Sequence, residues 1–153
     1  KKVRFYTVHF EEDELSETEK FIREYEDSKY AEDFLDLLAW IKVIGDFEGA
    51  IPTLFRHEAD AQALPPGLKM IEKKGLLKEI GYKLRLYCIV VSKEIVILLN
   101  GGLKESQKVQ DSPDLFVKFR LANKISKIFT DKIIQREIQN SGKELTGDLE
   151  LIF

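Results

Sequence analysis

A chain of 153 residues with 44% hydrophobic and 33% charged side chains excludes a disordered polypeptide, fits one domain over residues 1–153, and holds no apolar run near the roughly eighteen residues a membrane span needs. The net charge of −3 hides an asymmetry, because residues 1–65 carry 8 basic and 16 acidic side chains whereas residues 66–135 carry 14 basic and 7 acidic. A basic half suits an anionic partner such as nucleic acid, although two solvated faces attracting each other within one fold give the same count.

The single cysteine, Cys88, lies inside an apolar run. It permits no internal disulfide framework and reads as a buried small hydrophobe in a reducing, cytoplasmic compartment. Lys1 and Lys2 lead straight into an alternating segment rather than the apolar core of a signal peptide, so no secretory leader is expected.

In chain order, residues 3–10 alternate and are rich in β-branched and aromatic side chains, which predicts a strand. Ser16 and Glu19 have the spacing of a capping box, so a helix starts there and carries Phe21, Ile22 and Tyr25 on its apolar stripe. A second helix follows with Tyr30, Phe34, Leu37, Leu38 and Ile41 at helical spacing, Trp40 at the edge of the stripe, and Gly45 as its stop. The two helices form a hairpin. Gly49, Pro52, Pro65 and Pro66 interrupt the next stretch, in which residues 56–64 suit a short helix.

Beyond it, residues 76–80 are a strand candidate. Residues 82–91 and 94–100 are two apolar runs separated by Ser92-Lys93, the length of a tight hairpin loop, which completes a three-stranded meander. Gly101-Gly102 ends the last strand in this reading, and a polar loop runs to Asp111. Ser112-Pro113-Asp114 then opens a helix with an N-cap, a proline in the first position and an acid in the first turn. Leu115, Phe119, Ala122, Ile125 and Phe129 face its core, while Lys118, Lys124 and Lys127 fall on a solvated face. The tail over 134–153 breaks at Asn140-Ser141-Gly142, and residues 149–153 are a candidate edge strand. The fold class is therefore α+β, a small antiparallel sheet with an N-terminal helical hairpin and a C-terminal helix.

The chemistry-bearing residues are few. His9 and His57 lack partners at metal-ligand spacing, so no metal is expected, and no phosphate-binding glycine loop, nucleophile elbow or dinucleotide fingerprint is present to imply a cofactor. The useful constellation is Lys83, Arg85 and Tyr87, which share one face of a strand while Leu84, Leu86 and Cys88 take the other. Lys78 on the preceding strand and Lys104 and Lys108 beyond the following one are candidates to close around that face, and the sequence does not fix which side each reaches. Such a cluster suits phosphates, since arginine grips them with a planar fork and lysine acts as a point charge.

The stretch LPPGLKMIEKKGLLKEIGYKLRLYCIVVSKEIVILLNGGLKESQKVQDSP resembles the phage-derived HigB-like branch of the RelE/ParE toxin superfamily. There, a proline-flanked linker and short strand precede an arginine-bearing strand, a hydrophobic strand, a lysine-rich loop and a C-terminal helix. The likeness covers residues 64–128, the first strand and helical hairpin agree with the family's N-terminal order, and residues 134–153 would be an extension. The resemblance implies a type II toxin that cleaves messenger RNA on the ribosome, using the 2′-hydroxyl of the cut nucleotide and neither metal nor cofactor, under control of a cognate helix-turn-helix antitoxin. Arg85 falls on the arginine that contacts the scissile phosphate, and Lys104 and Lys108 fall on the lysine-rich loop. In this reading Arg85, Tyr87 and Lys104 are the catalytic candidates, and Lys78, Lys83 and Lys108 hold RNA. Tyr87 would move a proton only if its ordinary pKa near 10 were lowered. Glu105 stands where the family's second loop lysine is expected, and Asn100-Gly101-Gly102 stand where an aromatic and a histidine are common. A catalytically inactive binding module of the same fold, a ParE-like gyrase inhibitor and a scaffold domain without nucleic acid are the alternatives.

Overall fold

A computed structural model describes residues 1–67, 83–105, 108 and 111–153. The strand candidate at 76–80 and Lys78 lie outside the described residues.

Strand β1 (Arg4–Thr7) is followed by α1 (Glu17–Tyr25) and α2 (Ala31–Lys42). The capping box forms as its spacing requires: the Glu19 N–H donates to Ser16 Oγ at 3.1 Å, and the Ser16 N–H donates to Glu19 Oε2 at 2.7 Å. Reciprocal bonds of this kind satisfy two otherwise free donors and fix where α1 begins. In α2 the buried stripe is Phe34, Leu37 and Trp40, continued by Ile44. Trp40, expected at the edge, lies at the centre and is 1% exposed, whereas Leu38, expected in the stripe, is 41% exposed. The steps of three and four residues from Phe34 to Ile44 hold one face, and Leu38 falls a position away from it.

Gly45 does not stop this helix. The chain widens into a π-helical segment, Val43–Glu48, in which the Gly49 N–H bonds to Ile44 O at 2.9 Å, and Gly49 ends it at φ 81°. Gly45 serves packing instead, because a Cβ there would come 3.0 Å from the Phe5 ring.

Residues 56–64 are not a helix. After a short 3₁₀ turn at Pro52–Leu54, they form β2 (Arg56–Glu58) and β3 (Ala61–Leu64), an antiparallel hairpin turning at Ala59, which has φ 62°. The alanines favour a helix locally, but Ala61, Ala63 and Leu64 are all fully buried, and sheet pairing on one side and helix packing above override propensity. The next two strands, β4 (Leu84–Ser92) and β5 (Ile95–Leu103), pair antiparallel around a Lys93–Glu94 turn, one residue later than expected.

Gly101-Gly102 do not end β5, which runs on to Leu103. Gly101 is required there because a Cβ would lie 2.2 Å from Arg85 O and 2.8 Å from the Phe21 ring. The sheet is mixed rather than antiparallel: its order is β1-β5-β4-β3-β2, and β1 runs parallel to β5 with Arg4 opposite Ile95 and Thr7 opposite Leu98. Alternation announces a strand, but the direction of its partner depends on where the helical hairpin returns the chain.

Helix α3 (Pro113–Ile134) closes the second face. Ser112 precedes it without making the expected side-chain cap; its hydroxyl accepts the Glu105 N–H at 3.0 Å and so ties the end of β5 to the start of α3. The tail forms a separate two-stranded hairpin, β6 (Ile138–Ser141) and β7 (Glu144–Gly147), with Gly142 at φ 56° in its turn. Residues 149–153, expected as an edge strand, pair with nothing in the sheet; Phe153 lies edge-on to Phe10 at 5.6 Å between centroids.

The five-stranded sheet thus separates two cores. Phe21, Phe34, Leu37 and Trp40 pack with Leu84, Leu86, Cys88, Val96 and Leu98 on one face. Leu115, Ala122, Ile125 and Phe129 pack with Tyr87, Ile89, Ile97 and Leu99 on the other. Among the described residues no helix is long and apolar enough to cross a membrane.

Candidate functional site

The alternation read from the sequence of β4 holds: Leu84, Leu86 and Cys88 enter the core under α1 and α2, and Tyr87 and Ile89 enter the core under α3. The helical hairpin packs on the opposite sheet face from Tyr87 and Ile89, yet Asp33 of α2 is near enough to favour the charge of the buried Arg85, as Glu58 does. Cys88 is fully buried, and burial pushes its thiol up, away from any nucleophilic role.

Cross-strand partners point to the same side of a sheet, so the register assembles the α3 face row by row. Arg56 pairs with Ala63, and Ala63 with Tyr87; Glu58 pairs with Ala61; Arg85 pairs with Gly102. Two small side chains on β3 leave a low row between the charged residues of β2 and those of β4. Lys104 is two residues beyond Gly102, and its N–H bonds to Lys83 O at 2.6 Å, which continues the ladder past Leu84 and Leu103.

A β-bulge marks the centre of this face. Leu86 stands opposite Gly101 and Cys88 opposite Leu98, so Leu99 and Asn100 together face the single residue Tyr87. The Leu99 carbonyl at the bulge is held by Thr18 Oγ1 at 2.8 Å from the far side of the sheet. A Cβ on Gly101 would meet Phe21 and one on Gly102 would meet Leu115, and alternation then aims Asn100 at the α3 side. Both polar atoms of the Asn100 side chain and the Tyr87 hydroxyl are buried without a hydrogen-bond partner. Each such orphan costs about 1–3 kcal/mol, a cost expected where a fold holds groups ready for a ligand.

The electrostatics join the same residues. Arg85 is 5% exposed, and its guanidinium donates to Leu84 O at 3.0 Å. Burial and then the nearby Arg56 lower its pKa to about 10, partly offset by Glu58. Lys104 is lowered by burial and by Arg85 and Arg56. Arg56, whose Nε donates to Pro65 O at 2.8 Å, is lowered by burial. Three cations thus share a partly dry face, where Arg56 disfavours the charge of Arg85 and both disfavour that of Lys104, with Glu58 as the carboxylate acting on all three. Tyr87 is raised by burial and by Glu58, the reverse of what a base role demands.

The remaining expected residues fall as follows. Lys83 is exposed and its N–H donates to Asp33 Oδ2 at 3.1 Å. Lys108 is exposed, and its carbonyl accepts the Asp111 N–H at 3.0 Å. Lys118, assigned to a solvated face, instead runs its stem over the sheet, with Cγ 3.8 Å from a Cβ placed on Gly102. Arg56, Glu58 and Asn100 join the face unannounced. The period-two pattern Arg56-x-Glu58 against Ala61-x-Ala63 was the available signal for the first two; a bulge has no such signature. Among the described residues no three His, Cys, Asp or Glu side chains converge as they would around a metal ion.

Comparison of the chain with protein-family models, with curated proteins and with solved structures finds no match.

Proposed function

We propose that the protein is a RelE/HigB-like type II toxin, a ribosome-dependent messenger-RNA endoribonuclease that works without a metal. The observation that carries this reading is the convergence of Arg56, Arg85 and Lys104 on one sheet face, where burial lowers each pKa, Arg56 repels Arg85, and both repel Lys104. A fold that holds cations against their own repulsion gains on binding an anion, and a phosphate diester passing to a more highly charged transition state gains most. Arg85 stabilises the phosphate, Lys104 and Arg56 flank it, and the neutral Tyr87 hydroxyl donates a hydrogen bond. The resemblance over residues 64–128 supports RNA as the source of that phosphate, and the α+β order of β1, the α1–α2 hairpin, β4, β5 and α3 supports it further, whereas the parallel β1–β5 pairing departs from the antiparallel sheet the resemblance implies. A helix-turn-helix antitoxin is the proposed partner.

The burial of Arg85 favours a second reading, a binding module of the same fold that holds no RNA. Induced expression separates the two. The toxin reading expects growth arrest and cuts within translated messages in cells and in a programmed translation extract. Growth at the uninduced rate with intact messages would remove it.

A further inference from the structure

Phosphodiester cleavage through a 2′-hydroxyl needs a proton acceptor, and neither the family pattern nor Tyr87 supplies one here. We propose that Glu58 on β2 is the general base of this site, acting on RNA whose scissile phosphate rests on Arg56, Arg85 and Lys104. The inference rests on the ribonuclease reading above and assigns the residue that reading lacked.

Three observations place it. The register puts Glu58 on the α3 face, level with Ala61 and two residues along β2 from Arg56. The Ala61 and Ala63 methyls are the only side chains of β3 on that face, so no larger group of β3 stands between Glu58 and β4. Its field reaches Arg56, Arg85, Tyr87 and Lys104. Second, the carboxylate is half-buried and makes neither a hydrogen bond nor an ion pair within 4 Å among the described residues. An acid kept only to neutralise the arginines would be expected to close on one of them. Third, among the described residues the other candidates are less well placed: His57 pairs with Gln62 on the opposite face and is exposed, His9 bonds the Asp13 carbonyl, and Asp33, which also acts on Arg85, belongs to α2 and is engaged with the Lys83 N–H.

The step balances within these residues. The Glu58 carboxylate accepts the 2′-hydroxyl proton, the 2′-oxygen attacks the adjacent phosphorus, and the bond from phosphorus to the 5′-oxygen breaks. The leaving 5′-oxygen takes a proton from the Lys104 ammonium. The products are a 2′,3′-cyclic phosphate and a 5′-hydroxyl, and solvent returns the proton to Lys104 and removes it from Glu58. Nothing is oxidised or reduced.

The test uses the full chain on ribosomes programmed with a defined message, read at single turnover, together with binding of a 2′-O-methyl message that cannot be cut. For Glu58→Gln the expected result is a loss of about 10²- to 10⁴-fold in cutting, the usual contribution of a positioned base, and a flattened acidic limb of the pH-rate profile. Binding of the uncut analogue stays equal or tightens, because a negative charge has left a phosphate site. Glu58→Asp recovers part of the rate. Wild-type cutting with a wild-type pH profile in Glu58→Gln would overturn this inference alone, as would a loss of cutting that merely follows a loss of analogue binding. A wild-type protein that cuts nothing would overturn the inference together with the reading beneath it.

Discussion

Arg85 and Gly102 are cross-strand partners under the first turns of α3, and the missing side chain at 102 lets Leu115 come down to within 3.4 Å of where a Cβ would stand. Arg85, 5% exposed, is the most buried cation among the described residues, and Arg56 is near enough to disfavour its charge. A buried charge in such surroundings is held at a net cost, and an apolar residue of similar reach relieves it. Arg85→Met is accordingly expected to be more stable than wild type in urea unfolding at pH 8 by as much as burial outweighs the favourable fields of Glu58 and Asp33, while losing function.

The pH dependence of that difference carries a sign. Arg85 is lowered from 12.5 to about 10 on folding, so between those values the unfolded chain binds more protons and wild-type stability contributed by this group rises with pH. Below pH 10 both states carry the charge and the full penalty applies. The advantage of Arg85→Met over wild type should therefore be constant from pH 7 to 9 and shrink above pH 10. An advantage that grows with alkalinity would contradict burial as the dominant cause.

Gly101 and Gly102 are neighbours with unequal tolerance. A Cβ at 101 would sit 2.2 Å from Arg85 O, a backbone atom that cannot step aside, whereas at 102 the nearest atom is the Leu115 Cδ1 at 3.4 Å. Gly101→Ala is expected to lose about 1–3 kcal/mol or more through overpacking, and Gly102→Ala clearly less. Equal losses in chemical denaturation would show that the close seating of Phe21 on β5 is not what position 101 demands.

Much of this architecture was legible in the sequence, and the failures share a cause. The capping box, the Phe34 and Leu37 positions of the α2 stripe, the β4–β5 hairpin and the split of Arg85 and Tyr87 from Leu84, Leu86 and Cys88 are local patterns that survive folding, although Leu38 and Trp40 exchange the places expected of them. What was missed depends on neighbours. Gly45 and Gly101-Gly102 looked like terminators, yet Gly45 and Gly101 are small because Phe5 and Phe21 press on them. Ala61 and Ala63 looked helical until β4 supplied a partner strand. The site suffered in the same way: Arg85 and Lys104 could be picked by type, but Arg56 and Glu58 reach them only through the order β4-β3-β2.

Tyr87 offers a test that separates stability from ligand binding. Its hydroxyl is buried without a partner, so Tyr87→Phe removes an unsatisfied group and leaves the ring in place against Phe119, 6.0 Å away between centroids. The variant should unfold at the same or a higher urea concentration, with a gain of up to about 1–2 kcal/mol. If the hydroxyl meets a phosphate oxygen in the complex, message cutting falls at the same time. A variant that is both less stable and fully active would mean that the hydroxyl has a partner in the free protein and none in the complex.

The charges at the end of β5 should be readable through salt. Each phosphate contact by a cation releases counterions, so the slope of log affinity against log salt for single-stranded RNA changes by about 0.7 per contact. Lys104, half-buried and coupled to Arg85 and Arg56, is expected to make such a contact; Lys104→Ala should lower the slope by about that amount and cut the rate of cleavage. Lys127 is exposed on α3 and is the suitable control, because Lys118 lies with its stem over Gly102 and so close to the site. Glu105, beside Lys104 and exposed, opposes RNA by its charge, and Glu105→Lys should strengthen binding and steepen the slope. It should not restore cutting to an Arg85→Ala protein, in which the loss is expected to be on the order of 10² to 10³. A charge supplied at the rim raises the local concentration of RNA, whereas Arg85 acts on the charge that develops as the bond breaks. Rescue of Arg85→Ala by Glu105→Lys would show that the site needs net positive charge alone and would leave RNA binding as its whole function.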